Sequence, residues 1–181
     1  MCDAYLPAGV LDTDTEQKLV RDVTNLLIEH ELRRVAELMD DPDAVQASRE
    51  RAGLTAWTFV HRVETYVAGE PQQSPFYKFV ASIPEGNIDD VFRDAVVPAI
   101  LEAVVEAEGG RWPHPEMRVW VFTQEIPDGS WGAAGRNVNL GNIVNFVAPG
   151  WGEEAEERLV ARRREAAAAT VALAAQHEAT A

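Results

Sequence analysis

Cysteine and long apolar runs are scarce in this 181-residue chain, and basic residues are few. A single cysteine cannot form a disulfide within the chain, which fits a reducing compartment. No apolar run approaches the roughly 20 residues that a membrane-spanning helix needs. The N-terminus also lacks the basic and apolar segments of a secretion signal. We therefore expect a cytoplasmic protein that has no membrane partner.

Acidic side chains outnumber basic ones by 30 to 16, which gives a formal net charge of −14. Such a surface repels phosphate backbones, so we predict that no nucleic acid binds here. The histidines and the cysteine do not show the spacing of metal ligands, and no glycine-rich phosphate motif is present. We therefore predict neither a metal nor another cofactor, and a small molecule as the substrate.

The sequence contains an internal repeat. Residues 5–9 (YLPAG) resemble residues 82–86 (SIPEG) at an offset of 77, and the apolar positions of a following helix coincide at the same offset. Residues 57–59 (WTF) resemble residues 120–122 (WVF) at an offset of 63. The first copy therefore carries about fourteen extra residues. The polar cluster at 40–43, which includes a proline, is where we place this insertion, as part of a loop.

Each copy has the pattern strand, turn, helix, loop, strand. Strands are predicted over residues 2–7, 56–63, 76–83 and 118–126. The first helix begins near Thr13, whose hydroxyl is the predicted cap. The second begins near Asp89, and we expect a kink at Pro98.

Two β-α-β units of this kind cannot each bury a sheet face alone. Joined, they form an α/β fold in which a four-stranded sheet carries both helices on one face. Strand alternation places four aromatic side chains on the other face, which is too apolar to remain in water. These residues are Trp57, Phe59, Trp120 and Phe122. We therefore predict a closed homo-oligomer that covers this face.

We divide the chain into a repeat domain and a C-terminal extension. The repeat domain covers residues 1–151, with its copies at about 1–70 and 76–147. Residues 152–181 are charged and alanine-rich, with acidic residues early and the basic residues 162–164 later. That order suits the dipole of a helix, so we predict a C-terminal helix or tail.

Residues 119–136 (VWVFTQEIPDGSWGAAGR) resemble the strand and β-hairpin that end a 4-oxalocrotonate tautomerase unit. The turn at residues 84–86 (PEG) and the helix spacing after it are similar to the first half of the same unit. Two such units in one chain resemble the two-copy members of the tautomerase superfamily, such as those like cis-3-chloroacrylic acid dehalogenase. The resemblance covers about residues 2–147 and implies a homotrimer.

The resemblance also implies an activity, namely cofactor-independent proton transfer on a small carbonyl or unsaturated compound, with an amino-terminal proline as the base. In this sequence the family's proline aligns just before Met1, and position 2 is cysteine. Either a proline precedes Met1 in the natural protein, or the protein is a member that lacks it. The alternative function is therefore a non-catalytic trimer of the same fold that binds a ligand or a partner.

The dehalogenase pattern is poorly matched. Its substrate-binding arginines align with Glu85 and Ile88, its aromatic hydroxyl with Phe122 and its water-activating glutamate with Ala133. Dehalogenation and hydration are therefore less expected than tautomerisation. A site with fewer cations suits a neutral or apolar substrate better than a dicarboxylate.

The candidate catalytic residues are the amino terminus at Met1, His61 and Arg136. His61 alternates with Phe59, whereas a register shifted by one residue would place Arg62 in the cavity instead. Histidine can act as an acid or a base near neutral pH, and Arg136, which follows the hairpin, could bind an anion. The candidate substrate-binding residues are Trp120, Phe122, Trp131 and Arg62. We interpret Cys2 as a buried strand residue rather than a nucleophile.

Overall fold

The computed structural model describes residues 1–36, 39 and 41–179. The chain forms two compact units: the first comprises the described residues of Met1–Ile83 and of Asn87–Glu125, and the second comprises Pro84–Gly86 and the described residues from Ile126 onward. The strands are β1 Cys2–Pro7, β2 Thr58–Val63, β3 Tyr66–Val67, β4 Glu70–Pro71, β5 Tyr77–Pro84, β6 Val119–Ile126, β7 Trp131–Ala133 and β8 Arg136–Val138. The α-helices are α1 Thr13–Ala36, α2 Pro42–Thr55, α3 Asp90–Glu108, α4 Leu140–Val147 and α5 Gly152–Ala179.

A four-stranded sheet with the order β2-β1-β5-β6 organises the fold. β1 runs parallel to β2 and antiparallel to β5, so the two β-α-β copies meet at their first strands. β3–β4 and β7–β8 are separate two-stranded hairpins. The predicted α/β fold, with a four-stranded sheet, helices on one face and a C-terminal helix, is confirmed.

The core of the first unit lies between this sheet and the helices α1 and α3. Alternate residues of β1 and β5 point into it, as the two-residue period of a strand requires. The helices contribute rows at every fourth position, which is the spacing that the repeat predicted. The buried rows are Leu19, Val23 and Leu27 on α1, and Phe92, Val96, Ile100 and Val104 on α3. Burying each of these side chains stabilises the fold by about 1.5–3 kcal/mol.

The helix starts show which local sequence signals decide the caps. α1 begins at Thr13 as predicted, but the cap prediction is wrong, because the amide of Thr15 donates to the carboxylate of Asp12 at 2.8 Å. At α3, Asp89 caps the helix by accepting from the amide of Phe92 at 2.7 Å. α3 continues through Pro98 as one helix.

The insertion in the first copy is a helix, α2, rather than the predicted loop. Its start contains the very residues that favoured a turn: Asp41 accepts a hydrogen bond from the amide of Asp43, and Pro42 occupies the first helical position. An acidic cap followed by proline is as typical of a helix start as of a turn. Residue 40 of the predicted insertion lies outside the described residues.

The second unit is built around α5. In the turn at Pro84–Gly86, the carboxylate of Glu85 accepts from the Nε and Nη2 atoms of Arg163 at 2.8 and 2.7 Å, and from the amide of Asp128 at 3.0 Å. Gly86 has a φ of +97°, and a Cβ there would lie 3.2 Å from a Leu159 methyl carbon. Any larger residue would therefore be strained and crowded. Within the described part of the chain, no helix combines the length and apolarity needed to cross a bilayer.

The Glu85–Arg163 pair should make the second unit's stability depend on pH. The Arg163 guanidinium and the Asp128 amide lower the pKa of the Glu85 carboxyl from 4.5 to about 2. The stabilisation is therefore fully present above pH 4.5 and is lost as the pH falls through about 2. At pH 7, we expect Glu85→Gln to lower the free energy of unfolding by about 1 kcal/mol, because Arg163 is half exposed and water screens the pair.

Urea denaturation of the wild type and of Glu85→Gln, followed by circular dichroism between pH 7 and pH 2, measures this difference. It should shrink below pH 4.5 and approach zero near pH 2. A difference that stays constant across this range would show that the glutamine disturbs packing rather than an ion pair.

Candidate functional site

The amino terminus is anchored where β1 begins. The Met1 ammonium donates to the carbonyl of Ser82 at 3.0 Å, and the amide of Ser82 donates to the carbonyl of Met1 at 2.8 Å. The side chain of Gln124 donates to the Ser82 hydroxyl at 2.8 Å. Met1 itself is 39% exposed, so solvent can reach the first residue of the chain. The amino group is thus held in place by a hydrogen bond to Ser82, in a residue that is partly exposed.

The charge of this amino group affects the carboxyl group of Glu31, on α1. Burial raises the pKa of Glu31, and the positive charge of the Met1 amino group opposes that rise. Glu31 was missed from the sequence because it belongs to no motif. A signal was present, however: Glu31 follows Leu27 by four residues and so continues the buried row of α1 with an ionisable side chain.

His61 lies on the face of the sheet opposite to the helices, which we call the open face and which also carries Asp3, Tyr5, Phe59 and Phe122. Its Nε2 lies 2.7 Å from Oδ1 of Asp3. Its ring stacks on Tyr5, with centroids 4.5 Å apart and planes 14° from parallel. The histidine is therefore oriented by both a carboxylate and an aromatic ring.

A cation from the neighbouring strand completes this arrangement. Nζ of Lys78, on β5, lies 4.5 Å from the ring centroid of Tyr5 and 5.7 Å from that of Phe122. Such contacts are worth about 0.5–1 kcal/mol at exposed positions. Side chains from β2, β1, β5 and β6 are thus linked across the open face.

Arg62 points the other way. Its Nη2 donates to Oε1 of Glu16, on α1, at 2.5 Å. Strand alternation therefore puts Arg62 on the helix side and His61 on the open face, and the shifted register is not adopted.

The predicted aromatic residues form two exposed pairs. The rings of Trp57 and Phe59 lie edge to face, with their centroids 6.4 Å apart. The rings of Trp120 and Phe122 have the same arrangement, with centroids 6.1 Å apart. Their exposed fractions are 60% and 47% in the first pair and 59% and 46% in the second. Monomeric proteins rarely leave so many large aromatic side chains open to water.

The amino group of Met1 and the side chain of His61, two candidate catalytic groups, lie at different positions along the strands. Because Cys2 pairs with Thr58, Met1 lies level with Trp57, four residues before His61. At about 3.3 Å per residue, the Cα atoms of Met1 and His61 of one chain are roughly 13 Å apart along the strands. The two candidate groups are therefore not neighbours on the backbone of one chain.

Two further candidates belong to the second unit. Trp131 begins β7, and its buried indole N–H has no hydrogen-bond partner among the described residues. Arg136 begins β8 and is exposed. The substrate-binding role of Trp131 and the catalytic role of Arg136 stay predictions.

Cys2 is 1% exposed, and burial raises the pKa of its thiol to about 11. It is therefore a neutral thiol at physiological pH, which does not suit a nucleophile. Among residues 1–36, 39 and 41–179, no group of three or more His, Cys, Asp or Glu side chains is placed to hold a metal ion.

Solved structures of other proteins resemble this chain. A member of the cis-3-chloroacrylic acid dehalogenase family matches 84% of this chain and 87% of its own, with a TM-score of 0.53 and 18% identity. A fused 4-OT, solved as a symmetric trimer, matches over 82% of this chain and 98% of its own length, with a TM-score of 0.54 and 14% identity. Pt0534, solved after inactivation by 2-oxo-3-pentynoate, matches over 78% of this chain and 97% of its own length, with a TM-score of 0.52 and 18% identity. No protein-family model matches the sequence, and curated proteins gave no significant match.

The tautomerase fold predicted from the internal repeat and the hairpin is therefore confirmed. At these identities the likeness shows the fold alone, and one fold can carry different activities.

Proposed function

We propose that this protein is a tautomerase-type enzyme that transfers a proton on a small carbonyl or unsaturated compound without a cofactor. The observation that supports this most is the anchored amino group of Met1, which is held against Ser82 in a partly exposed residue and whose positive charge acts on the Glu31 carboxyl group. A neutral amine accepts protons, so an amino group that is held in place can act as a general base.

The proposed reaction needs no oxidant or reductant. The amine takes a proton from a carbon next to the carbonyl, and the electron pair of that C–H bond forms the enolate. The ammonium then returns the proton to another atom of the conjugated system, so the substrate is isomerised and the amine is restored. The aromatic side chains of the open face would favour an apolar or neutral substrate over a dicarboxylate.

His61 is the second acid–base group of the proposal. Because its Cα lies roughly 13 Å from that of Met1 in the same chain, we propose that His61 serves the amino terminus of another copy whose open face lies alongside. We propose a homotrimer for this reason and because four exposed aromatic residues need cover. The fused 4-OT that this fold resembles was solved as a symmetric trimer.

The trimer is tested by light scattering at micromolar concentration. We expect a mass about three times the 19.9 kDa of one chain. In a matched variant, Phe59→Glu places a charge among the aromatic side chains and should lower the mass toward that of one chain. A wild-type mass near that of one chain would contradict the proposed assembly.

The amino terminus is tested by selective acylation. The sequence has only two lysines, so in a Lys18→Arg/Lys78→Arg variant the amino terminus is the one remaining primary amine. Acylating this variant should lower kcat for the ketonisation of an enol substrate such as phenylenolpyruvate by about 10²–10⁴, the usual contribution of an acid–base group. The unmodified variant, carried through the same procedure without reagent, is the control.

A second arm places a proline directly before Met1, where the family's proline aligns. This version should be at least as active as the parent, and intact-mass analysis of the natural protein shows which residue comes first. If neither the parent nor the proline version isomerises the test substrate, the enzyme proposal fails and the non-catalytic binding trimer replaces it.

A further inference from the structure

We propose that Asp3 is a positioning residue that holds His61 in a single neutral tautomer, with the hydrogen on Nε2 and an unprotonated Nδ1 on the open face. The proposal rests on the proposed function for the use that is made of Nδ1. Its structural part, the fixed tautomer, can be tested without any activity.

The strand register brings these two side chains together. Asp3 lies opposite Phe59 and Tyr5 lies opposite His61, so Asp3 and His61 are diagonal neighbours on the same face of the parallel β1–β2 pair. Their Oδ1 and Nε2 atoms are 2.7 Å apart, within the range of a charge-assisted hydrogen bond. An ionised carboxylate can only accept, so Nε2 must be the donor. In the neutral ring the hydrogen therefore lies on Nε2, and Nδ1 keeps its lone pair.

Stacking fixes the plane of the ring. Tyr5 lies 4.5 Å from the His61 ring and 14° from parallel to it. Nζ of Lys78 lies 4.5 Å from the Tyr5 centroid, which stabilises Tyr5 from the neighbouring strand. The side chains of His61 and Asp3 are 42% and 38% exposed, so Nδ1 can be approached from the open face.

A fixed tautomer matters because only an unprotonated nitrogen can accept a proton. When Nδ1 takes the proton, the ring becomes an imidazolium whose Nε2–H still faces the Asp3 carboxylate, and the opposite charge stabilises it. The base is thus presented in its reactive form before a substrate arrives, and no hydrogen bond must be rearranged during the transfer.

Nitrogen NMR of protein labelled with ¹⁵N-histidine tests the tautomer. In a neutral imidazole ring, the chemical shifts of the two nitrogens differ strongly according to which one carries the hydrogen, so the spectra are recorded at alkaline pH. The chain has four histidines, so His61→Gln assigns the signal. We expect one tautomer in the wild type, with the hydrogen on Nε2. A wild-type mixture, or hydrogen on Nδ1, overturns the inference without any Asp3 variant.

Variants supply the second arm. Asp3→Ala should convert the His61 signal into a mixture of tautomers, whereas Glu64→Ala removes a carboxylate just after the same strand and should leave it unchanged. Asp3→Ala should also lower kcat about tenfold or more, with KM changed less than about twofold, because the lost group acts on proton transfer rather than on binding.

The outcomes separate the inference from the proposed function. An inactive parent whose His61 tautomer is fixed by Asp3 would contradict the proposed function and leave the positioning role intact. An active parent whose tautomer and kcat are unaffected by Asp3→Ala would leave the proposed function intact and contradict the positioning role.

Discussion

Replacing Arg118 with methionine is expected to lower the free energy of unfolding by about 3–5 kcal/mol, the usual effect of removing one partner of a buried ion pair. Arg118 is 4% exposed and Glu108 is 1% exposed. The guanidinium donates to both carboxylate oxygens of Glu108, at 2.6 and 2.8 Å. It also donates to the carbonyl oxygens of Pro75, Trp112 and Pro113. Methionine would leave a buried carboxylate without its partner and three carbonyl groups without their donor.

Two comparisons isolate this effect. The double variant Glu108→Leu/Arg118→Met removes both charges, so its stability should lie well above that of the single variant. Lys18 pairs with Glu106 near the same end of α3 but is exposed, and Lys18→Met should cost less than about 1 kcal/mol. Urea denaturation followed by circular dichroism measures all three variants. A loss of 1 kcal/mol or less for Arg118→Met would show that water reaches the pair.

The buried pair could not be predicted from the sequence. Glu108 is the last residue of α3 and Arg118 precedes β6, and the segment between them contains glycines and prolines that read as an ordinary loop. Isolated charges in such a segment are typically solvated. Only the structure shows that the Arg118 guanidinium donates hydrogen bonds to four different residues.

The fold itself was largely predictable because it repeats. An offset of 77 residues placed Leu19 with Val96 and Leu27 with Val104, and these residues do occupy matching buried rows. Two copies of one weak pattern carry more information than either copy alone. The prediction that failed was local. The segment of α2 starts with Asp41 and Pro42, which are typical of turns as well as of helix starts.

Only part of the candidate site could be predicted from the sequence. Alternation along β2 placed His61 on the same face as Phe59, which the structure also shows. Its partner Asp3 lies 58 residues away, and the contact depends on the register between β1 and β2, which no local pattern determines. The effect of the Met1 amino group on Glu31 likewise depends on a contact between distant parts of the chain, which no local pattern determines.

His61→Ala is expected to lower kcat for the enol test substrate by more than about tenfold, since acid–base groups usually contribute 10²–10⁴. Arg62 is the matched control, because it is the next residue of the same strand and points to the other side of the sheet. Arg62→Ala removes only a largely exposed contact with Glu16, so we expect a stability loss below about 1 kcal/mol and an unchanged kcat.

The roughly 13 Å between Met1 and His61 of one chain turns this prediction into a test of which copies share a site. His61→Ala protein keeps an intact amino terminus, and acylated Lys18→Arg/Lys78→Arg protein keeps an intact His61. If His61 serves the amino terminus of another copy, mixed trimers of these two inactive proteins contain some sites in which both groups are intact. Unfolding and refolding the two proteins together should then restore a fraction of the activity, whereas refolding each alone should restore none. If co-refolding restores no activity, although His61→Ala lowers kcat as expected, His61 does not serve the amino terminus of another copy.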